Sequence, residues 1–165
     1  MQTLTKRSDI AREYTWDLES IYSTDDDWEK SFKKLDQGLP ELEALKGTLA
    51  QSGQALLKVL QTRDELFEEL ESLYVYASMR KDEDTTNSVY LGMFDRAMQL
   101  FVRASTVISY IEPEILALPP VTLDKFVQET PGLGLYKQQL DDINRNRPHV
   151  RSAEVEAVLA AAGEI

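Results

Sequence analysis

Residues 54–84 read QALLKVLQTRDELFEELESLYVYASMRKDED, with no glycine or proline to interrupt them. Leu56, Leu57, Leu60, Phe67, Leu70, Tyr74 and Ala77 recur mostly at steps of three and four. That period lays them along one side of an α-helix. Ser52 stands where a hydroxyl can accept from the first free N–H groups. The stretch therefore predicts one helix of about 28 residues, roughly 42 Å long at about 1.5 Å per residue. It ends near KDEDTTN at 81–87, whose hydroxyl and carboxylate groups compete locally for backbone hydrogen bonds.

Beyond that connection Thr85 or Thr86 is positioned to cap a second long helix. Its wide apolar stripe holds Tyr90, Met93, Phe94, Ala97, Leu100, Phe101, Ala104, Ile108 and Ile111. Gly92 weakens it by about 1 kcal/mol relative to alanine without breaking it. Two long helices with a short connection pack antiparallel. The predicted fold is thus all-α, a bundle built around an antiparallel hairpin of residues 53–80 and 86–111 with shorter flanking helices.

On the amino-terminal side, residues 1–22 read as partly irregular. Ser23 or Thr24 before Asp25, Asp26 and Asp27 suits a helix start, where free N–H groups and the dipole favour oxygen and negative charge. This helix should carry Trp28, Phe32 and Leu35 and stop near Gly38, with a short helix from Pro40 to Lys46 after it and Gly47 beyond its end. On the carboxyl-terminal side, Pro113 fits the first turn of a short helix that Pro119 and Pro120 stop. Thr122 opens another through Phe126 and Val127, and residues 131–134 break the chain. Leu135, Tyr136, Leu140 and Ile143 form an amphipathic stretch ended by Arg147-Pro148. Ser152 caps a last helix reaching Ala162. No repeat and no strand-period run is present, so residues 1–165 read as a single helical domain.

The chain carries 29 acidic and 18 basic residues, a net charge of −11. Such a surface repels phosphate backbones and anionic membranes, so neither nucleic acid nor membrane is an expected partner. There is no cysteine, hence no disulfide, thiolate nucleophile or thiolate metal ligand. The first residues, MQTLTKRSDIAREYTW, lack the apolar core of a signal peptide. A cytoplasmic setting is the expectation.

Chemical constellations were tested against their geometric needs. A two-histidine zinc helix, or a di-iron bundle with Glu-x-x-His motifs, needs more histidine than His149, which stands alone in this sequence. The run Asp82-Glu83-Asp84 fails as a calcium loop, because Asn87 falls where glycine is required and Met93 where the bidentate glutamate is required. Asp141 and Asp142 are adjacent and diverge by about 100° on a helix, too far to face each other. Arg145, Arg147, His149 and Arg151 form the one basic cluster, read as neutralising nearby acids rather than holding an anion. Tyr74 and Tyr90 lie on the core stripes. Tyr76 lies off the stripe, and interhelix packing is its favoured role over facing a groove. The sequence holds no phosphate-binding glycine loop and no nucleophile elbow. No catalytic residue, metal ligand or cofactor is assigned to this chain, and its substrate-contacting residues are left unassigned.

Taken together, YTWDLESIYSTDDDWEKSF, LESLYVYASMRKDEDTTNSVY, ISYIEPEIL and NRPHVRSAEVEAVLAAAGEI resemble the amino-terminal region of oligoendopeptidase F, a family of zinc metallopeptidases related to thimet oligopeptidase. The resemblance runs from about residue 13 to the end. It implies a piece of a longer, mostly helical enzyme that hydrolyses short peptides within a deep cleft. Zinc is implied for the full-length protein, on an H-E-x-x-H helix that this chain lacks. It further implies that the helices here shape or cover the cleft, with a carboxyl-terminal catalytic domain as their partner. An alternative is a stand-alone helical interaction module with no enzymatic task. Either way the isolated polypeptide is expected to be inactive, and a lobe parted from its neighbour is expected to expose apolar surface and self-associate.

Overall fold

The computed structural model describes residues 9–149. They form α1 (Asp25–Glu43), α2 (Gly53–Glu83), α3 (Ser88–Ile108), α4 (Ile111–Ala117), α5 (Pro120–Glu129) and α6 (Lys137–Asn146). Short 3-10 turns lie at Arg12–Tyr14, Leu18–Ser20, Pro131–Tyr136 and Arg147–His149. There is no strand among the described residues, and the fold is the all-α bundle expected from the spacing. The expected final helix from Ser152 lies outside the described residues. Two compact units divide the described chain, residues 9–45 with 60–108, and residues 46–59 with 109–149.

The first unit is a three-helix bundle. Thr24 caps α1 as expected, its hydroxyl oxygen accepting from the Asp27 N–H at 3.1 Å. The helix does not stop near Gly38 but runs through both Gly38 and Pro40 to Glu43. An interior proline costs about 3 kcal/mol or more, since it removes a donor and crowds the preceding turn. What offsets that cost is the unbroken apolar stripe, for Trp28, Leu35, Leu39 and Leu42 are all buried in phase across it. The short helix expected from Pro40 is therefore the continuation of α1.

Contacts across this unit establish direction. Glu29 meets Arg96 and Asp36 meets Arg103, each pair seven residues further along both helices, so α1 and α3 run parallel. These two helices make the most extensive backbone approach in the unit. Ala97 and Ala104 on the buried side of α3 are small enough to permit it. Residues 60–83 of α2 run antiparallel to α1, with Asp25 on Tyr76, Trp28 on Leu73 and Lys34 on Glu69. Rings join α2 to α3, Phe67 to Phe101 and Tyr74 to Phe94, each pair 5.6 Å between centroids. The core holds Leu18, Trp28, Leu70, Leu73, Tyr76, Met93 and Leu100.

The α2–α3 connection also differs from expectation at its cap. Asn87, not Thr85 or Thr86, caps α3, with its side-chain oxygen accepting from Val89 N–H at 2.9 Å. Thr86 is diverted, giving its N–H and hydroxyl to the Asp84 carboxylate at 3.0 and 2.6 Å. Ser52 caps α2 as expected, accepting from Ala55 N–H at 3.1 Å.

In the second unit α4 packs on α6, and the turn Pro131–Tyr136 lies against both α5 and α6. Helix α5 starts at Pro120 rather than Thr122, because proline at the first helical position loses no hydrogen bond. Leu140 and Ile143 are buried on α6 as expected, but Leu135 is 87% exposed. It belongs to the 3-10 turn, whose period rotates it out of the α6 stripe. Gly47, at φ +82°, takes the left-handed turn after α1, and its N–H donates to Glu114 Oε1 at 2.7 Å.

Candidate functional site

The densest polar arrangement lies in the first unit around Tyr76. Its side chain is fully buried, and its hydroxyl donates to Asp25 Oδ1 at 2.7 Å. The same oxygen accepts from Arg80 Nη2 at 3.0 Å and Nε at 3.2 Å. Arg80 also lies 3.4 Å from Asp25, and its guanidinium covers the rings of Tyr76 and Tyr90 at 5.2 and 5.5 Å. Tyr22 meets Tyr76 edge-on at 5.4 Å. Burial first, and the Asp25 carboxylate second, push the Tyr76 phenol up to about 12. A phenol that stays protonated at neutral pH, with donor and acceptor sides both occupied, is a structural strut rather than a proton-transfer group. It ties the first turn of α1 to α2, in line with the packing role read from sequence.

A second node stands beside it. Arg96 grips Glu29 with Nη1 at 3.0 Å and Nη2 at 2.5 Å, and stacks over Trp28 and Phe32 at 5.0 and 5.2 Å. The Arg96 hydrogen bonds hold the Glu29 carboxyl below its usual range. The Trp28 indole N–H donates to the Leu73 carbonyl at 2.9 Å, so the largest core ring also leaves no polar atom unpaired.

The other sequence candidates resolve into local pairs. In the acidic run, Asp82 lies 3.5 Å from Lys81, Glu83 lies 3.8 Å from Arg80, and Asp84 is held by Thr86. Asp141 pairs with Lys137 at 2.6 Å and Asp142 with Arg145, each one turn away on α6. Arg147 donates to Asn144 Oδ1 at 3.0 Å and to the Leu116 carbonyl. The basic cluster is thus divided between structural partners in the second unit. The side chain of His149, and all of Arg151, lie outside the described residues. Among the described residues no three His, Cys, Asp or Glu side chains converge to hold a metal ion. With a single histidine in the chain, the donor set does not fit the zinc implied by the family.

Concave surface is modest. In the first unit Ile21, Tyr22, Glu65, Glu68, Glu69 and Ser72 line an open groove of 370 Å³, with Glu69 held by Lys34. In the second, α5 and α6 enclose 230 Å³ over Leu123, Val127 and Leu140, rimmed by Asp124, Lys137 and Asp141. Neither brings together a nucleophile, a base and an oxyanion donor.

What the sequence reading missed is the outer side of α3. Leu91, Met98, Phe101 and Val102 are 40, 40, 37 and 61% exposed. The apolar content of α3 exceeds what its neighbours cover, and the width of its stripe was the available signal. Among the described residues no helix is long and apolar enough to cross a membrane.

Comparisons with known proteins all point one way. Residues 114–165 match the amino-terminal family profile described as Oligopeptidase F. The chain is 40% identical over 162 residues to Oligopeptidase PepF of Bacillus subtilis, covering 98% of this chain and 24% of that one. It is 37% identical over 159 residues to Group B oligopeptidase PepB of Streptococcus agalactiae, covering 96% of this chain and 26% of that one. The crystal structure of oligoendopeptidase-F from Enterococcus faecium superimposes with a TM-score of 0.72 at 36% identity, covering 85% of this chain and 27% of that one. The chain thus spans about a quarter of the length of the curated relatives it matches.

Proposed function

We propose that this chain, which belongs to the oligoendopeptidase F family, serves as the amino-terminal helical lobe of a zinc metallopeptidase that hydrolyses short peptides. Its task in this reading is to shape or cover the peptide cleft. The observation that carries it is similarity at 37–40% identity along nearly the whole chain to oligopeptidases about four times its length.

The division of labour follows from chemistry. When bound, zinc supplies Lewis acidity toward a peptide carbonyl and an activated water. The residues that hold it lie outside this chain in our reading, since the donor set here does not fit. What this chain contributes is a rigid wall. The Tyr76–Asp25–Arg80 and Arg96–Glu29 nodes join α1 to α2 and α3 at several points. A stiff bundle of this kind restricts a cleft to extended chains and excludes folded proteins by size. The setting we propose is the cytoplasm, in keeping with a chain free of cysteine.

An immunoblot of native cell extract with antibody to this chain tests the reading. A species about four times the 18.8 kDa of this chain, co-purifying with zinc-dependent hydrolysis of short peptides, is the expected result. A lone 18.8 kDa species with no such activity would remove the proposal and favour a stand-alone helical module.

A further inference from the structure

The outer side of α3 is an apolar surface with no function assigned to it. Leu91, Met98 and Val102 are spaced by seven and four residues, which sets them within about 40° of arc on one side of the helix. They span about 16 Å at 1.5 Å of rise per residue. Phe101 and Phe94 widen the strip toward α2, where Phe101 meets Phe67 edge-on and Phe94 lies tilted against Tyr74. Rings and aliphatic side chains thus form one continuous surface on the α2–α3 side of the first unit. Among positions 91, 94, 95, 98, 101, 102 and 105 of this helix only Asp95 is charged, in a chain that is 28% charged overall. A surface so poor in charge on so acidic a protein is suited to burial rather than to solvent.

Resting on the function proposed above, we propose that this strip is where the remaining part of the family's chain docks, through an apolar segment laid along α3. Two observations select that occupant. The relatives carry about three quarters of their length outside the region matched here, so a large covalently attached partner is available in them. A second copy of this chain is the weaker candidate, because two α3 helices face to face would place both Asp95 carboxylates in one interface, while the nearby Lys81 ammonium is seated over the Phe94 ring. The strip is also a continuous ridge, whereas the polar-rimmed grooves lie elsewhere.

The test is a full-length chimera in which this chain replaces the matching quarter of Bacillus subtilis oligopeptidase PepF. Met98→Glu and Val102→Glu are introduced together, both in the chimera and in the 165-residue chain. In the isolated chain the side chains are exposed, so helicity and melting midpoint should stay within about 2 °C of the parent. In the chimera the same pair should detach the lobe. Trypsin should release it about tenfold faster or more, and it should melt as a separate transition. A substituted chimera with unchanged proteolysis and a single unchanged transition would overturn the docking role. A rise in KM alone, with stability untouched, would also overturn it and assign the strip to peptide contact. Dimers of the full-length parent chimera that dissociate on substitution would overturn it in favour of self-association. The parent chimera monitors the premise separately. If it is stable but inactive on short peptides, it is the functional reading that fails.

Discussion

Tyr76 is the residue on which the first unit turns, since one hydroxyl bonds both Asp25 of α1 and Arg80 of α2. Tyr76→Phe keeps the ring and removes the oxygen, leaving Asp25 and Arg80 without a shared partner. The expected cost is about 1 kcal/mol in urea unfolding at neutral pH. Its pH dependence has a definite sign. The folded phenol is raised from 10.0 to about 12, so its contribution is complete below pH 10 and is lost as pH rises toward 12. The stability gap between parent and variant should therefore narrow over that window, and a constant gap would count against the buried phenol. Glu29 behaves in the opposite sense. Its folded carboxyl is lowered from 4.5 chiefly by the Arg96 hydrogen bonds, so its contribution is present above that value and lost as pH falls below it. The pair is partly exposed, so Glu29→Gln should cost about 1 kcal/mol or less at pH 7, shrinking in acid unfolding curves below about pH 4.5. Sequence reading placed Tyr76 in packing, which holds, but off the core stripe, whereas Tyr76 is fully buried with Leu73 and Ala77 and Tyr74 only partly so. It had no means to find Asp25 as its acceptor, because the two are 51 residues apart and meet only once α1 lies against α2.

At the scale of elements, glycines separate what local rules determine from what the fold determines. Gly92 lies within α3 with nothing within 4 Å of the Cβ it would gain. Gly92→Ala should stabilise by about 0.5–1 kcal/mol through helix propensity alone. Gly53 opens α2, and an added Cβ would lie 2.2 Å from Thr130 Oγ1 and 3.3 Å from Phe126 Cβ. Gly53→Ala should therefore destabilise by about 1–3 kcal/mol despite the same gain in propensity. Thermal melts of the two variants should move in opposite directions, and parallel shifts would disprove the close approach. This contrast also measures how much of the fold the sequence displays. Helix spacing and the caps at Thr24 and Ser52 are local properties, and they were legible. The passage of α1 through Pro40 was not, because only the burial of Leu39 and Leu42 makes an interior proline tolerable. The cap at Asn87 was hidden for a similar reason, since Thr86 was already engaged by Asp84. Which helix lies beside which depends on side chains far apart in sequence, and α1 entering beside α3 had no local signature.

For the whole molecule the decisive property is a division between charge and chemistry. The chain has 29 carboxylates and one imidazole, so it has abundant oxygen ligands and almost no nitrogen donors for a zinc site. A catalytic zinc needs three protein ligands placed at about 2 Å from one point, with a water completing the set. Several of the described carboxylates are instead engaged in pairs, among them Glu29 with Arg96, Asp36 with Arg103, Glu69 with Lys34 and Asp141 with Lys137. An acidic surface of that kind attracts divalent cations diffusely, and the attraction is screened by salt. Two kinds of zinc uptake are therefore separable. After dialysis at about 0.15 M salt, where screening acts over about 8 Å, elemental analysis should find far less than one zinc per chain. Any zinc retained at low salt should be displaced by calcium, because diffuse carboxylate binding does not favour the softer ion. A quenched short peptide should remain uncleaved whether or not zinc is added. Stoichiometric zinc that survives salt and calcium, together with peptide turnover, would show that this chain assembles a catalytic centre by itself. That outcome would withdraw its assignment as the wall of a site whose metal is held elsewhere.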